Sequence, residues 1–300
     1  MTKFATVLLI NISYCALLLL YPGSGLYHVW EKDVIEHYSE TVSPDTRTYV
    51  NIGKDNLRTV CYPVFLNLIM RLNNWVIVLI AINCLLSAWM FYIVYDMIGR
   101  RAWLLVFLGA FTIYTPMILT DLLFATLFVT SIWMIKKRLW LHFVLLGIAS
   151  LVRPSLAWFF LIEPIVLYGQ GIRDKRLLIA SLFIAFAVTS FNPIRNLINH
   201  GTWTHSTVLK YNLESFYTGP LYFIESFKSN CLDGHYSHLL SRYSTFLNGC
   251  IIALNGLIWL RFLHRWNWCN VILVAYFIGP SLFAAAGGRI RLPIEWILLL

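Results

Sequence analysis

Three hundred residues with 59% hydrophobic side chains, 12% charged ones, a mean hydropathy of +0.70 and a net charge of +9 exclude an ordinary soluble globular domain. Twelve Trp, sixteen Tyr and twenty Phe add to the departure from globular averages. The positive charge does not describe a nucleic-acid surface either, because the Lys and Arg residues stand in small clusters between apolar runs.

In chain order, hydropathy marks about ten apolar segments on the criterion of about 20 residues per span. They cover residues 5–21, 75–98, 103–119, 122–135, 139–152, 156–168, 177–191, 246–263, 269–286 and 292–300. None alternates with the period of a barrel strand, and backbone groups in lipid must be satisfied internally, so the predicted fold class is all-α, a multi-pass transmembrane helical bundle. The first run follows Lys3 and reads either as a helix or as a signal peptide; both readings export the segment after it.

Every second connection is basic: Arg100 and Arg101; Lys136, Lys137 and Arg138; Arg173, Lys175 and Arg176; Arg261 and Arg265. The positive-inside rule assigns these, with Lys3, to the cytoplasm. Two long outer loops are then expected at about residues 23–74 and 192–245, with short outer turns at "YTPMILTD", "VRPS" and "GGRIR". The chain is expected to hold one membrane domain, 1–300, without a soluble domain after the last helix.

Residues 103–135 and 139–168 each cross twice in about thirty residues, so each helix rises only about 22 Å against a hydrocarbon core of about 30 Å. Asp121 and Arg153 sit at the two outer turns and are predicted to line a depression below the surface. Six cysteines show neither CxxC nor metal-like spacing; only Cys61 and Cys231 fall in polar segments on one side and admit a disulfide. Glu163 is expected to face the bundle interior, Asp96 and Arg100 to form an i,i+4 pair, and His200, His205, His235 and His238 to be solvated loop residues.

The ionisable residues on the outer side are Asp45, Arg47, Arg58, Asp121, Arg153, Arg289, Arg291 and Glu295. They come from distant parts of the chain and gather at one face. Guanidinium groups bind phosphate oxygens as charged forks, so Arg153, Arg289 and Arg291 are candidates for a phosphate; the competing reading is snorkelling to lipid headgroups. Asp121 follows Thr120 and can equally serve as a helix cap.

The stretches "SPDTRTYVNIG" (43–53), "YPVFLNLI" (62–69), "TDLLFATL" (120–127), "LVRPS" (151–155) and "GGRIRLPIEWILLL" (287–300) resemble, in order and spacing, the GT-C superfamily of polyprenyl-phosphate-dependent glycosyltransferases. The branch is that of the protein O-mannosyltransferases and the lipid A aminoarabinose transferase. The resemblance implies transfer of a sugar from a polyprenyl-phosphate carrier to a glycan, lipid or protein acceptor, on the outward face of a bacterial cytoplasmic membrane. It makes Asp45 the catalytic carboxylate, with Arg153, Arg289 and Arg291 at the donor phosphate. Tyr49, Arg58, Asp121 and Glu295 then shape the site or hold the acceptor. Such chemistry needs no cofactor; for the position of Asp121 the resemblance admits acceptor orientation or a divalent metal. Two rival readings stay open: an O-antigen polymerase or ligase, and a transporter or flippase of lipid-linked sugars. A membrane scaffold without catalysis is a third.

Overall fold

The computed structural model describes residues 2–22, 24, 59, 61–203, 224–225, 227–235, 244–265, 267–279 and 291–300. Ten α-helices occur among them: α1 (Thr2–Leu20), α2 (Cys61–Met70), α3 (Trp75–Ile98), α4 (Ala102–Phe107), α5 (Thr120–Met134), α6 (Leu139–Val152), α7 (Glu163–Gly169), α8 (Lys175–His200), α9 (Thr245–His264) and α10 (Trp268–Ile278). No strand occurs among the described residues. Four stretches are helical, long and apolar enough to cross a membrane: Thr2–Leu20, Trp75–Phe107, Lys175–His200 and Thr245–His264.

Polarity is inverted relative to a soluble protein. Helix α8 buries Ser181, Thr189, Ser190, Asn192 and Asn196 while Phe183 and Ile198 stand 66% and 76% exposed. An outward face of Phe, Ile and Leu is stable only against hydrocarbon, and small polar residues let two backbones approach. The contact with α6 shows this: Asn192 Nδ2 donates to the Ser150 carbonyl at 2.9 Å, and Ser150 Oγ to the Val188 carbonyl at 3.3 Å. Gly147 faces Val188, where an added Cβ would lie 3.6 Å from a Val188 methyl, in ordinary contact.

The expected count of about ten spans is not reproduced. The run at 103–119 is helical only through Phe107. Gly109 takes a left-handed φ of 85°, and Pro116 has no N–H to donate, so the helix stops and residues 108–116 continue as buried turns. Non-helical backbone is tolerated at depth only where protein satisfies it. Here α3 does so: Asn83 Nδ2 donates to the Thr115 and Met117 carbonyls, both at 3.1 Å, and Ser87 Oγ donates to the Phe111 carbonyl. Asn11 of α1 in turn donates to Ser87 Oγ at 3.0 Å. The run at 156–168 is likewise broken into two 3-10 turns, Pro154–Leu156 and Phe159–Leu161, and the short α7. The chain's last run forms the 3-10 turn Glu295–Leu299, and α8 extends nine residues beyond the predicted end at 191, to His200.

Lys3 and three of the four basic connections share one end of the bundle. Lys3 of α1 lies over the Tyr95 ring of α3, 3.7 Å from its centroid. Lys137 after α5 reaches Asp96 at 3.6 Å, and Arg101 donates to the carbonyls of Leu299 at 2.9 Å and Leu300 at 2.7 Å. Arg261 of α9 lies within electrostatic range of Arg101. The predicted Asp96–Arg100 pair does not form: the chain turns at Gly99, with φ 65°, and carries Arg100 out of the helix, while Trp133 Nε1 donates to Asp96 Oδ2 at 2.7 Å.

These ties level α5 with α3 at the basic end, so their lengths set the opposite end. Twelve residues separate Asp121 from Trp133, a rise of about 18 Å, whereas α3 runs about 32 Å from Asp96 back to Trp75. The start of α5 therefore stops about 14 Å short of α3. The end of α6 stops beside it, so both helix ends lie recessed by that depth relative to α3. Phe124 and Phe128 of α5, Phe159 and Phe277 of α10 pack as tilted and edge-on rings with centroids 5.1–6.2 Å apart and hold the floor of that recess.

Candidate functional site

Two groups of buried polar residues stand out among the described residues. The first is at the recess floor. Pro154 disfavours helical backbone at the residue before it, so α6 ends at Val152 and Arg153 turns extended, φ −143° and ψ 138°. Its Nη1 meets Asp121 Oδ1 at 2.5 Å. Asp121 is 2% exposed and lies in the first turn of α5, where the helix dipole also favours an anion. Asp121 is not the cap: Leu119 holds that position and makes no side-chain cap bond.

The Arg153 guanidinium lies 5.8 Å from the Phe124 ring centroid, and its side chain keeps 20% exposure. Among the described residues none bonds its Nε or Nη2. Asp121 thus aims the arginine while two donor groups stay available to an anion in the recess. A carboxylate already facing a guanidinium is a poor cation ligand, and no group of three or more His, Cys, Asp or Glu able to hold a metal occurs among the described residues. Thr59 completes this corner: its Oγ1 donates to the Val152 carbonyl at 2.7 Å, and it is 5% exposed. Thr59 is thereby fastened next to Arg153.

The second group joins three distant segments: Tyr114 from the broken stretch after α4, residues 228–235, and residues 291–295. Tyr114 Oη lies 2.7 Å from His235 Nδ1, and His235 Nε2 lies 2.7 Å from Glu295 Oε2. Glu295 Oε1 faces Arg291 Nη2 at 3.8 Å. Arg291 also donates through Nη1 to the Cys231 carbonyl and through Nη2 to the Asp233 carbonyl at 2.5 Å. All four side chains are buried, Arg291 to 1% exposure. A neutral imidazole satisfies this chain, with Tyr114 donating to Nδ1 and Nε2–H donating to the carboxylate.

The segment that Arg291 holds lies alongside the middle of α9. Asn255 Nδ2 donates to the Leu232 carbonyl at 2.8 Å and Trp259 Nε1 to the Cys231 carbonyl at 2.7 Å. Residues 228–235 therefore run inside the bundle and not over its surface. Cys61 and Cys231 are both free thiols, so the disulfide is not formed.

Of the predicted site residues, Asp121 and Arg153 are brought together, and Arg291 and Glu295 meet in the separate buried group. Asp45, Tyr49, Arg58 and Arg289 lie outside the described residues, as does His205 and His238. His235 is corrected from a solvated loop residue to a buried one, 8% exposed, because Glu295 and Tyr114 supply its partners. Glu163 is fully buried and bonds His142 Nε2 at 2.6 Å, with Ser131 Oγ 2.7 Å from His142 Nδ1. Neither His142 nor Tyr114 carries a sequence signal of its own, since each stands alone in an apolar run.

The architecture defines an all-helical protein with helices able to cross a membrane. No family model, no curated protein and no solved structure matches the chain.

Proposed function

We propose that this protein is a membrane glycosyltransferase of GT-C type, moving a sugar from a polyprenyl-phosphate carrier to a hydroxyl of a cell-surface glycan, lipid or protein on the exoplasmic face. The observation that carries the reading is the Asp121–Arg153 pair, a guanidinium fixed by a buried carboxylate at the floor of a recess with donors to spare. Such a group suits the oxygens of a lipid phosphate entering between short helices. In the reaction, Asp45 takes the proton of the acceptor hydroxyl as its oxygen bonds the anomeric carbon. The bond from that carbon to the phosphate oxygen breaks, and the leaving polyprenyl phosphate keeps the electron pair. Arg153 and Arg289 stabilise the charge it gains. Arg291 acts through the segment that it holds, with Glu295 as its counter-charge.

The test is turnover of a polyprenyl-phosphate sugar by the purified full chain in nanodiscs. Arg153→Lys is expected to lower donor use about tenfold at unchanged fold, because lysine cannot both meet Asp121 and fork two phosphate oxygens. Equal turnover across donor concentrations would make Arg153 a structural anchor only. Orientation has its own check. Introduced cysteines near 50 should label from outside, and those near 137 and 174 only after permeabilisation.

One observation favours a second reading. Broken helices with polar residues at depth are a transporter feature, and residues 108–116 with Asn83 and Ser87 form such a break. A flippase would move the lipid-linked sugar between leaflets without consuming it, so product analysis in the same nanodiscs and scrambling in vesicles separate the two.

A further inference from the structure

At the basic end of the bundle, between α1 and α3, lies a cavity of about 500 Å³ lined by Thr2, Lys3, Tyr92, Tyr95 and Asp96. The recess of the proposed reaction is at the opposite end, and nothing in that reading uses these residues. The cavity offers one cation and one anion. Lys3 is held over the Tyr95 ring, 3.7 Å from its centroid. Asp96 receives Trp133 Nε1 at 2.7 Å and Lys137 at 3.6 Å, both on Oδ2, and none of the described residues bonds its Oδ1.

Away from the cavity the same face of α3 turns apolar. Leu85, Trp89, Tyr92 and Asp96 follow at steps of four, three and four, and are 50%, 38%, 41% and, for the Asp96 side chain, 54% exposed. Trp89 stacks on Tyr92 with centroids 5.7 Å apart and meets Trp133 edge-on at 6.2 Å. A charged, aromatic cavity thus opens directly onto an exposed apolar stripe. Its volume falls in the range of small-molecule sites, about 300–1,000 Å³.

We infer that this cavity binds the headgroup of an ethanolamine phospholipid, with the phosphodiester at Lys3 and the primary ammonium at Asp96 Oδ1 and the face of Tyr92, while an acyl chain follows Trp89 and Leu85. The complementarity is specific. An ammonium donates hydrogen bonds to a carboxylate and lies well over an aromatic face, whereas a choline headgroup keeps only the second contact and a glycerol headgroup neither. Ordinary interfacial anchoring by Lys, Trp and Tyr requires no headgroup preference.

The experiment is native mass spectrometry of the purified full chain with ethanolamine, choline and glycerol phospholipids of the same acyl chains. The expected result is retention of the ethanolamine lipid about tenfold above the choline lipid, the lower end of what one charge-assisted hydrogen bond supports. Asp96→Asn, which still accepts from Trp133, should abolish that preference; Lys3→Gln should weaken all three lipids; Lys137→Gln, which removes the pair with Asp96 and the cation over the Trp133 ring but leaves the Asp96 carboxylate, should leave the preference intact. Equal retention of the three lipids, a dominant glycerol lipid, or a preference that survives Asp96→Asn would overturn the inference. Free phosphoethanolamine should displace the lipid at least about tenfold more weakly than the lipid itself binds, since it lacks the chain contacts; displacement at equal concentration would assign the site to a soluble ligand and overturn the lipid assignment.

Discussion

Arg291→Ala should destabilise the protein by about 3–5 kcal/mol, the cost of leaving a buried charge network without one partner. Arg291 is 1% exposed, and its guanidinium joins the Cys231 and Asp233 carbonyls to Glu295. Removing it leaves the Glu295 carboxylate, itself 3% exposed, with His235 but without its cation, and takes a donor from the Cys231 and Asp233 carbonyls at once. Lysine is a poor substitute, because one compact ammonium cannot reach three acceptors arranged around a planar fork. The paired change Arg291→Met with Glu295→Leu should recover part of the loss, since removing both charges leaves no uncompensated ion. The measurement is the midpoint of thermal loss of the monodisperse species in detergent. A midpoint for Arg291→Ala within a degree of wild type would show that the buried pair contributes nothing to holding residues 228–235 in the bundle.

Asp45→Asn is expected to lower sugar transfer by about 10² to 10⁴ while the protein still expresses and folds, because the amide keeps the size of the side chain and loses the base. The reading rests on the resemblance of "SPDTRTYVNIG", with Thr59, six residues after Gly53, donating to the Val152 carbonyl beside Arg153. The comparison to make is single-turnover transfer from a polyprenyl-phosphate sugar at saturating donor. A variant near wild-type rate would remove Asp45 from the chemistry, and the buried Asp121 could not replace it, being already committed to Arg153. Lost transfer together with lost thermal stability would point to a structural role, so both readouts belong to one experiment.

Two of the helices are legible in the sequence to the residue. Residues 75–98 and 139–152 were expected as apolar segments and form α3 and α6 with those bounds, because an apolar run without Pro leaves helix as the one way to satisfy its backbone, and the single Gly147 of α6 packs against Val188. The same hydropathy misreads 103–119. Its composition is as apolar as that of a span, but Gly109 and Pro116 break it, and the broken backbone survives only because Asn83 and Ser87 lie next to it. Those partners sit on another helix, and no local pattern announces them.

The candidate site divides in the same way. That Asp121 and Arg153 both fall at the ends of short helices follows from helix lengths and from Pro154, which are properties of the chain read in one dimension. His235 is the opposite case: a histidine in a polar segment looks solvated until Glu295 and Tyr114, 60 and 121 residues away in the chain, are folded against it. Arg291 likewise looks like a phosphate ligand in "GGRIR", and tertiary structure alone turns its fork onto the Cys231 and Asp233 carbonyls. Sequence by itself determined that this is an all-helical protein with helices able to cross a membrane, since hydrophobic length and backbone satisfaction are local quantities. Which charges stay free and which are used up inside the bundle was decided by tertiary structure, because a guanidinium or imidazole is satisfied by whatever acceptor packing brings within about 3 Å, however distant in sequence.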